Sequence, residues 1–317
     1  MTPVVQWGDD GVPRSPAFGD LYRRQTQHAD GPCAQARGTF LAGCGLLGEV
    51  AVWRGRDDFR VLETGFGLGL NALALWHAWQ LDPQRPRRLH LVSIDAWPVS
   101  AADIVQSART CPDLLPLAEQ LAAQWVGVGP GHRRWSFAHG DDSFELTLVV
   151  APIEAGLASL DTAFDAVFLD GFAPERNPDM WSEPTLKAVA KHCHPGTRLA
   201  TWCVKSTVRQ TLSALGFEVQ RQPGVPPKRQ RLEAVYQPRW PVGRQWRRPA
   251  MHHADRSVLV VGGGLSGSAV AYSLARRGWH VQVLDAVDQP ASGASGLPVG
   301  LLAPHISPAD ALLSRMT

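Results

Sequence analysis

Long apolar runs are missing from this chain of 317 residues: none approaches the roughly 18 residues needed to cross a bilayer, which excludes a spanning helix. The first ten residues, M1-T-P-V-V-Q-W-G-D-D10, lack a basic segment followed by an apolar core, so no secretory leader is read there. An excess of charge of one sign is also absent. The 31 basic and 29 acidic residues leave a formal +2, so any nucleic-acid surface must arise from local clustering. Cysteine is sparse, and the five residues (33, 44, 111, 193, 203) are scattered, odd in number and never in a C-x-x-C pair. That pattern argues against a disulfide framework and a structural zinc site, and the expected compartment is the cytoplasm. What remains is an ordinary globular composition, 44% apolar and 19% charged, over a length sufficient for two domains.

Residues 1–58 carry few periodic signals and read as short strands and loops covering a larger domain. From Phe59, apolar runs that read as buried strands (60–63, 89–95, 164–170 and 198–203) alternate with helical stretches at 68–80 and 185–191. The expected fold class is therefore α/β, a Rossmann-like, mostly parallel sheet with helices on both faces. Residues 204–221 read as a helix closed by Gly216 and then a strand, and 231–237 as an antiparallel return strand. A stretch rich in Pro and Arg follows. The expected division is a domain over 1–240, a linker over 241–256 and a second unit over 257–317.

The first chemistry-bearing loop is V61-L-E-T-G-F-G-L-G-L-N71, between a strand and a helix. Gly65, Gly67 and Gly69 allow a sharp turn and close backbone approach to a ligand. An acidic residue at the head of the loop, Glu63, suits a ligand with a positively charged amino-acid end, such as S-adenosylmethionine. Asp95 ends the next strand, where a carboxylate accepts hydrogen bonds from ribose hydroxyls. Asp141, in H139-G-D-D142 before an expected helical stretch, is assigned to the adenine amino group. Asp170 ends the fourth strand at F168-L-D-G-F-A-P-E-R-N-P-D-M-W181, where an acceptor meets the donor, and a carboxylate there orients and deprotonates an amine. Phe172 and Trp181 are expected to wall the acceptor pocket or stack on a base. Asp179 reads as a residue in the first turn of a helix, Trp76 and Trp79 as core, and H192-C-H194 as a helix end rather than a metal site.

These motifs resemble a known family. E63-T-G-F-G-L-G-L-N71 and D170-G-F-A-P, with N177-P-D-M-W181, are similar to the methyltransferase domain of the bifunctional tRNA 5-methylaminomethyl-2-thiouridine biosynthesis (MnmC) family. So are the opening W7-G-D-D-G-V-P-R-S-P-A-F-G-D-L-Y22, F40-L and K228-R229. The resemblance implies two activities on a tRNA wobble uridine. A flavin domain removes the carboxymethyl part of 5-carboxymethylaminomethyl-2-thiouridine, and the methyltransferase domain methylates the exposed amine with S-adenosylmethionine. It assigns Glu63, Gly65, Gly67 and Gly69 to the donor loop, Asp95 to the ribose and Asp170 to the acceptor side.

A second glycine loop, V258-L-V-V-G-G-G-L-S-G267, places Gly262, Gly264 and Gly267 as G-x-G-x-x-G before a helix, with Asp285 ending the next strand. Strand, loop, helix, strand and acid in that order imply a dinucleotide site. The segment 291–305 resembles amine-oxidising flavoenzymes, which favours FAD. The expectation is an incomplete FAD-binding βαβ unit, with flavin bound by the full-length family and not by this chain. Between residues 221 and 248, eight basic residues, Lys228, Arg229 and Arg231 among them, face a single acid, Glu233, with Trp240 and Trp246 interleaved. That cluster is the expected tRNA contact. Two other readings remain open: a methyltransferase for another amine or a protein, and an inactive tRNA-binding remnant.

Overall fold

In the computed structural model, which describes residues 4–23, 31, 33–240 and 256–300, the chain divides into two compact units, Met1–Arg248 and Pro249–Thr317. The first unit opens with β1 (Gln6–Trp7), β2 (Pro13–Ser15) and β3 (Asp20–Leu21), joined in a small antiparallel sheet. A short helix α1 (Cys33–Gln35) continues in π-helical geometry through Ala36–Leu41. There follow β4 (Asp58–Glu63), α2 (Leu70–Leu81), β5 (Arg88–Ile94), α3 (Ala101–Ala108), α4 (Leu115–Ala122), β6 (Gly131–His139) and β7 (Asp142–Val150). The unit continues with α5 (Ile153–Ala158), β8 (Phe164–Phe168), α6 (Glu183–Lys191), β9 (Cys193–Thr201), α7 (Ser206–Ala214), β10 (Phe217–Pro223) and β11 (Gln230–Tyr236).

Strands β4–β11 form one sheet in the order β10-β11-β9-β8-β4-β5-β7-β6. The central five, β9 to β7, are parallel, while β11, β10 and β6 run antiparallel to their neighbours. Side chains alternate between the two faces. Phe59, Val61, Leu89 and Leu91 join one apolar cluster with Phe40, Trp76 and Trp79. Leu62, Val92 and Ile94 join another with Leu186, Leu199 and Leu212. A parallel sheet covered on both faces demands such apolar strands. α2 is buried from Asn71 to Trp76 and again at Trp79, which explains why it carries so few polar residues. The chain leaves β4 for β5 on one side and returns to β8 on the other. A crevice therefore opens beyond the carboxyl ends of β4 and β8, where open α/β sheets place their ligands.

Two expectations are corrected. H139-G-D-D142 does not lead into a helix: it is the tight turn of the β6–β7 hairpin, with Gly140 at φ 61°. The run D142-S-F-E-L-T-L-V-V150 is a buried strand paired in parallel with β5, and a short apolar run of this kind is not separable by periodicity from a buried helix. Second, Cys33 and Cys111 are joined in a disulfide across 78 residues, with Cα atoms 6.3 Å apart. Spacing in sequence gave no sign of the pairing, because the fold alone brings α1 beside the α3–α4 connection. Cys44, Cys193 and Cys203 are free and buried.

In the second unit, β12 (Ser257–Val261) and β13 (His280–Leu284) pair in parallel across α8 (Leu265–Ala275). Gly267 allows α8 to close on the loop, since a Cβ there would meet the Gly262 carbonyl oxygen. Asp285 accepts a hydrogen bond from Gly263 N at 2.6 Å. Leu259, Val261, Leu265 and Leu284 are exposed. The linker arginines Arg244, Arg247 and Arg248, with Trp246, lie outside the described residues. Among those described, no helix is long and apolar enough to cross a membrane.

Candidate active site

The site begins where β4 ends. Glu63 is the last residue of that strand, and the loop from Thr64 to Gly69 turns the chain into α2. Gly67 (φ 53°) and Gly69 (φ 77°) adopt left-handed backbone that disfavours any side chain. A Cβ on Gly69 would also come within 2.9 Å of the Phe66 ring. Asp95, just past β5, fastens the loop: its Oδ2 accepts from Gly67 N at 2.9 Å and its Oδ1 from Trp97 N at 2.8 Å. Burial pushes the Asp95 carboxyl up to about 6, while the Trp97 and Gly67 amides pull it down.

Glu63 lies fully buried beneath this loop, shaping the cavity from behind rather than lining it. Its Oε2 accepts from the Ser93 hydroxyl at 2.6 Å, and its Oε1 has no hydrogen-bond partner among the described residues. Burial pushes its carboxyl up to about 8, against the pull of the Ser93 hydroxyl, and the nearby Asp170 charge adds to the rise. Burial thus favours the protonated form of Glu63 as the site stands. A cationic group brought near would favour its ionised form.

Asp170 faces the glycine loop from the end of β8. Asn71 Nδ2 donates to its Oδ2 at 2.9 Å, while Trp202 Nε1 and Gly171 N donate to its Oδ1 at 2.9 and 2.8 Å. The Thr64 hydroxyl donates to the Asp170 carbonyl oxygen at 2.8 Å and accepts from Asp170 N at 3.0 Å, clamping the two strand ends together. Burial raises the Asp170 carboxyl above its ordinary range; the three donors and the Lys228 charge oppose the rise. The outcome is a carboxyl firmly oriented by three donors, with burial working against its charged form.

These groups border a cavity of about 590 Å³, within the size range of small-molecule sites. Thr64, Gly65, Gly67, Asp95 and Asp170 line it along the strand ends, and Trp97 and Ala151–Glu154 line it beyond β5 and β7. Phe172 supplies an aromatic wall, stacked on Phe18 at 4.8 Å and met edge-on by Tyr22 at 5.0 Å. The N-terminal segment thus contributes to the cavity wall, and Ala173 N donates to Asp20 Oδ2 at 2.9 Å to hold it there.

Gly65, Gly67, Asp95, Asp170 and Phe172 converge on the cavity, with Glu63 and Gly69 behind it. Trp181 does not line it: the side chain is buried, donates to the Phe172 carbonyl oxygen at 2.7 Å and meets Trp202 edge-on at 5.6 Å, so it supports the wall. Asp141 is not brought to the site. It is exposed in the β6–β7 turn, at the amino end of the parallel strand β7 and so at the opposite edge of the sheet. Asp179 sits in the first turn of a short 3-10 helix (Pro178–Trp181) and also borders the cavity. Lys228 lines the cavity, its ammonium 4.0 Å from the centre of the Trp202 ring. Arg229 is exposed, whereas Arg231 is held by Glu233 at 2.5 Å and by the Pro223 carbonyl oxygen. Sequence reasoning missed Asn71 and Trp202. Asn71 stood at the end of the quoted loop motif, and Trp202 lies just beyond the carboxyl end of β9, a position that the strand-end rule marks.

A family model described as S-adenosyl-L-methionine-dependent methyltransferase matches residues 112–237, and one described as FAD dependent oxidoreductase matches residues 257–317. The tRNA 5-methylaminomethyl-2-thiouridine biosynthesis bifunctional protein MnmC of Acidovorax sp. (strain JS42) is 52% identical over 319 residues, covering 100% of this chain and 48% of that protein. The protein of the same name from Azoarcus sp. (strain BH72) is 43% identical over 318 residues, again 100% and 48%. The chain thus spans about half the length of the curated relatives it matches. The crystal structure of MNMC2 from Aquifex aeolicus shares the fold, with a TM-score of 0.55 at 22% identity over 75% of this chain and 72% of that one. By sequence the chain is similar over its whole length to bifunctional tRNA 5-methylaminomethyl-2-thiouridine biosynthesis proteins, and it carries one stretch that matches a methyltransferase model and one that matches an FAD dependent oxidoreductase model.

Proposed function

We propose that residues 1–240 methylate the primary amine of 5-aminomethyl-2-thiouridine at a tRNA wobble position, giving 5-methylaminomethyl-2-thiouridine. The observation that carries this reading is the Asp170 carboxylate, held by three donors at the cavity wall opposite the glycine loop. The donor set fits S-adenosylmethionine: the buried, unpartnered Oε1 of Glu63 suits a nearby cation, Asp95 suits ribose hydroxyls, and the backbone of Gly65 and Gly67 admits close approach. S-adenosylmethionine supplies a methyl group on a positively charged sulfur.

An amine attacks such a group only when neutral. Asp170 accepts a hydrogen bond from the acceptor nitrogen and turns its lone pair toward the donor. As the N–C bond forms the S–C bond to the methyl group breaks, its electron pair returns to sulfur to leave S-adenosylhomocysteine, and Asp170 takes the proton released from nitrogen. Phe172, Phe18 and Tyr22 offer the aromatic surface against which a uridine base stacks, and Lys228 and Arg229 lie on the same side as nucleic-acid contacts. Positioning dominates such a reaction, which is why the carboxylate is so firmly oriented. The test is the acceptor. Transfer RNA bearing the aminomethyl group should take up label from S-adenosylmethionine, and tRNA bearing the carboxymethylaminomethyl group should not. Equal labelling of both, or labelling of neither while a protein substrate is labelled, overturns the assignment.

For residues 257–317 we propose no flavin chemistry within this chain. An absorbance scan of the purified protein is expected to lack flavin bands, and bound flavin would refute that.

A further inference from the structure

A second cavity, of about 290 Å³, adjoins the acceptor side and shares two residues with the first, Trp202 and Lys228. Trp202 is the partition. Its indole N–H is spent on Asp170 at 2.9 Å, and its ring face lies under the Lys228 ammonium at 4.0 Å. The second cavity is basic: Lys205, Lys228 and Arg229 line it against one carboxylate, Glu175, which pairs with Lys205 at 2.8 Å. Arg229 adds an exposed positive charge beyond that pair, the Lys228 ammonium sits over the shared indole, and an occupant is separated from the acceptor amine by that one ring.

We propose that this cavity seats a phosphodiester flanking the modified nucleotide, held by Arg229 and Lys228, while that nucleotide's base enters the first cavity. The inference rests on the reading above, that the acceptor is a nucleotide within RNA. An exposed guanidinium presents a fork of N–H donors to phosphate oxygens, and the ammonium over Trp202 adds a point charge. A nucleotide chain has one phosphate per residue, so a base pocket and a phosphate seat on either side of one ring match its repeat. Arg231 takes no part, because Glu233 and the Pro223 carbonyl hold it.

The experiment uses the full chain and a synthetic anticodon stem-loop RNA with 5-aminomethyluridine at the wobble position. Each of the two phosphodiesters flanking that residue is made in turn as a neutral methylphosphonate, and affinity is measured against salt for the natural protein and for Arg229→Gln. At one of the two positions the neutral linkage should weaken binding by the natural protein several-fold. Arg229→Gln should weaken binding of the unmodified RNA to a similar extent, lower the log–log salt slope by about 0.7, and be indifferent to that methylphosphonate. If neither linkage matters to the natural protein, or if Arg229→Gln loses as much again on methylphosphonate RNA, the phosphate seat is wrong. If the coupling between Arg229 and one phosphate is seen but the RNA takes up no methyl group, the seat stands and the methylation assignment falls.

Discussion

The most quantitative consequence of the site concerns Glu63. The carboxyl is fully buried, with one oxygen bonded to the Ser93 hydroxyl and the other unpartnered among the described residues, and burial pushes it up to about 8 from its ordinary 4.5. Between those two values the folded protein keeps a proton that the unfolded chain has released. The unfolded state then binds fewer protons, so stability falls as pH rises, by about 1.4 kcal/mol per pH unit for one group. Below pH 4.5 both states are protonated and above pH 8 both are ionised, so the slope is confined to that window. From pH 5 to pH 8 the loss is on the order of 4 kcal/mol, or roughly 10 °C of melting temperature for a domain of this size. Glu63→Gln retains the shape and an acceptor for Ser93 but cannot ionise. Thermal unfolding of both proteins without ligand, at half-unit steps from pH 5 to pH 9, is the assay. The difference between the curves isolates Glu63 from Asp95 and Asp170, whose raised carboxyls slope in the same direction. The variant should gain on the natural protein steadily up to about pH 8 and then run parallel. Parallel curves throughout would show that Glu63 is ionised in the folded protein, and the description of the loop's underside would be wrong.

Other consequences are simpler. Asp170→Asn keeps the size of the side chain but removes its basicity and sets an amide against Asn71; turnover should fall by about 10²–10⁴ while S-adenosylmethionine affinity, read by calorimetry, changes little. A comparable loss of donor affinity would place Asp170 on the donor side instead. Trp202→Phe removes the indole donor that lowers the Asp170 pKa, so the rising limb of the kcat–pH profile should move toward higher pH. A uniform fall in kcat at every pH would show only a structural role for the tryptophan.

The parts of the site that lie close together in the chain were legible without a structure. Glu63, Gly65, Gly67 and Gly69 are spaced by one loop, and Asp95 and Asp170 stand at the ends of apolar runs, so rules about strand ends find them. Asp141 failed for a definite reason. Its assignment required a helix after H139-G-D-D142, whereas the turn reverses the chain into β7 and leaves the residue at the opposite edge of the sheet. Trp181 was placed in the correct neighbourhood but on the wrong side of the wall, because side-chain direction in a 3-10 turn is not readable from composition. The Cys33–Cys111 pairing and the convergence of Asn71 and Trp202 on Asp170 depend on contacts 78, 99 and 32 residues apart, which only the folded sheet brings together. The basic run was read as one surface, yet the fold divides it: Lys228 turns to the cavity, Arg229 to solvent and Arg231 to Glu233.

The central claim is methyl transfer to a wobble amine with Asp170 as the base. It is tested most directly by incubating the protein, and separately Asp170→Asn, with labelled S-adenosylmethionine and aminomethyl-thiouridine tRNA, then digesting the RNA to nucleosides. Label from the natural protein should appear in 5-methylaminomethyl-2-thiouridine and be nearly lost with the variant. An unlabelled wobble nucleoside, or equal labelling by the two proteins, would contradict it.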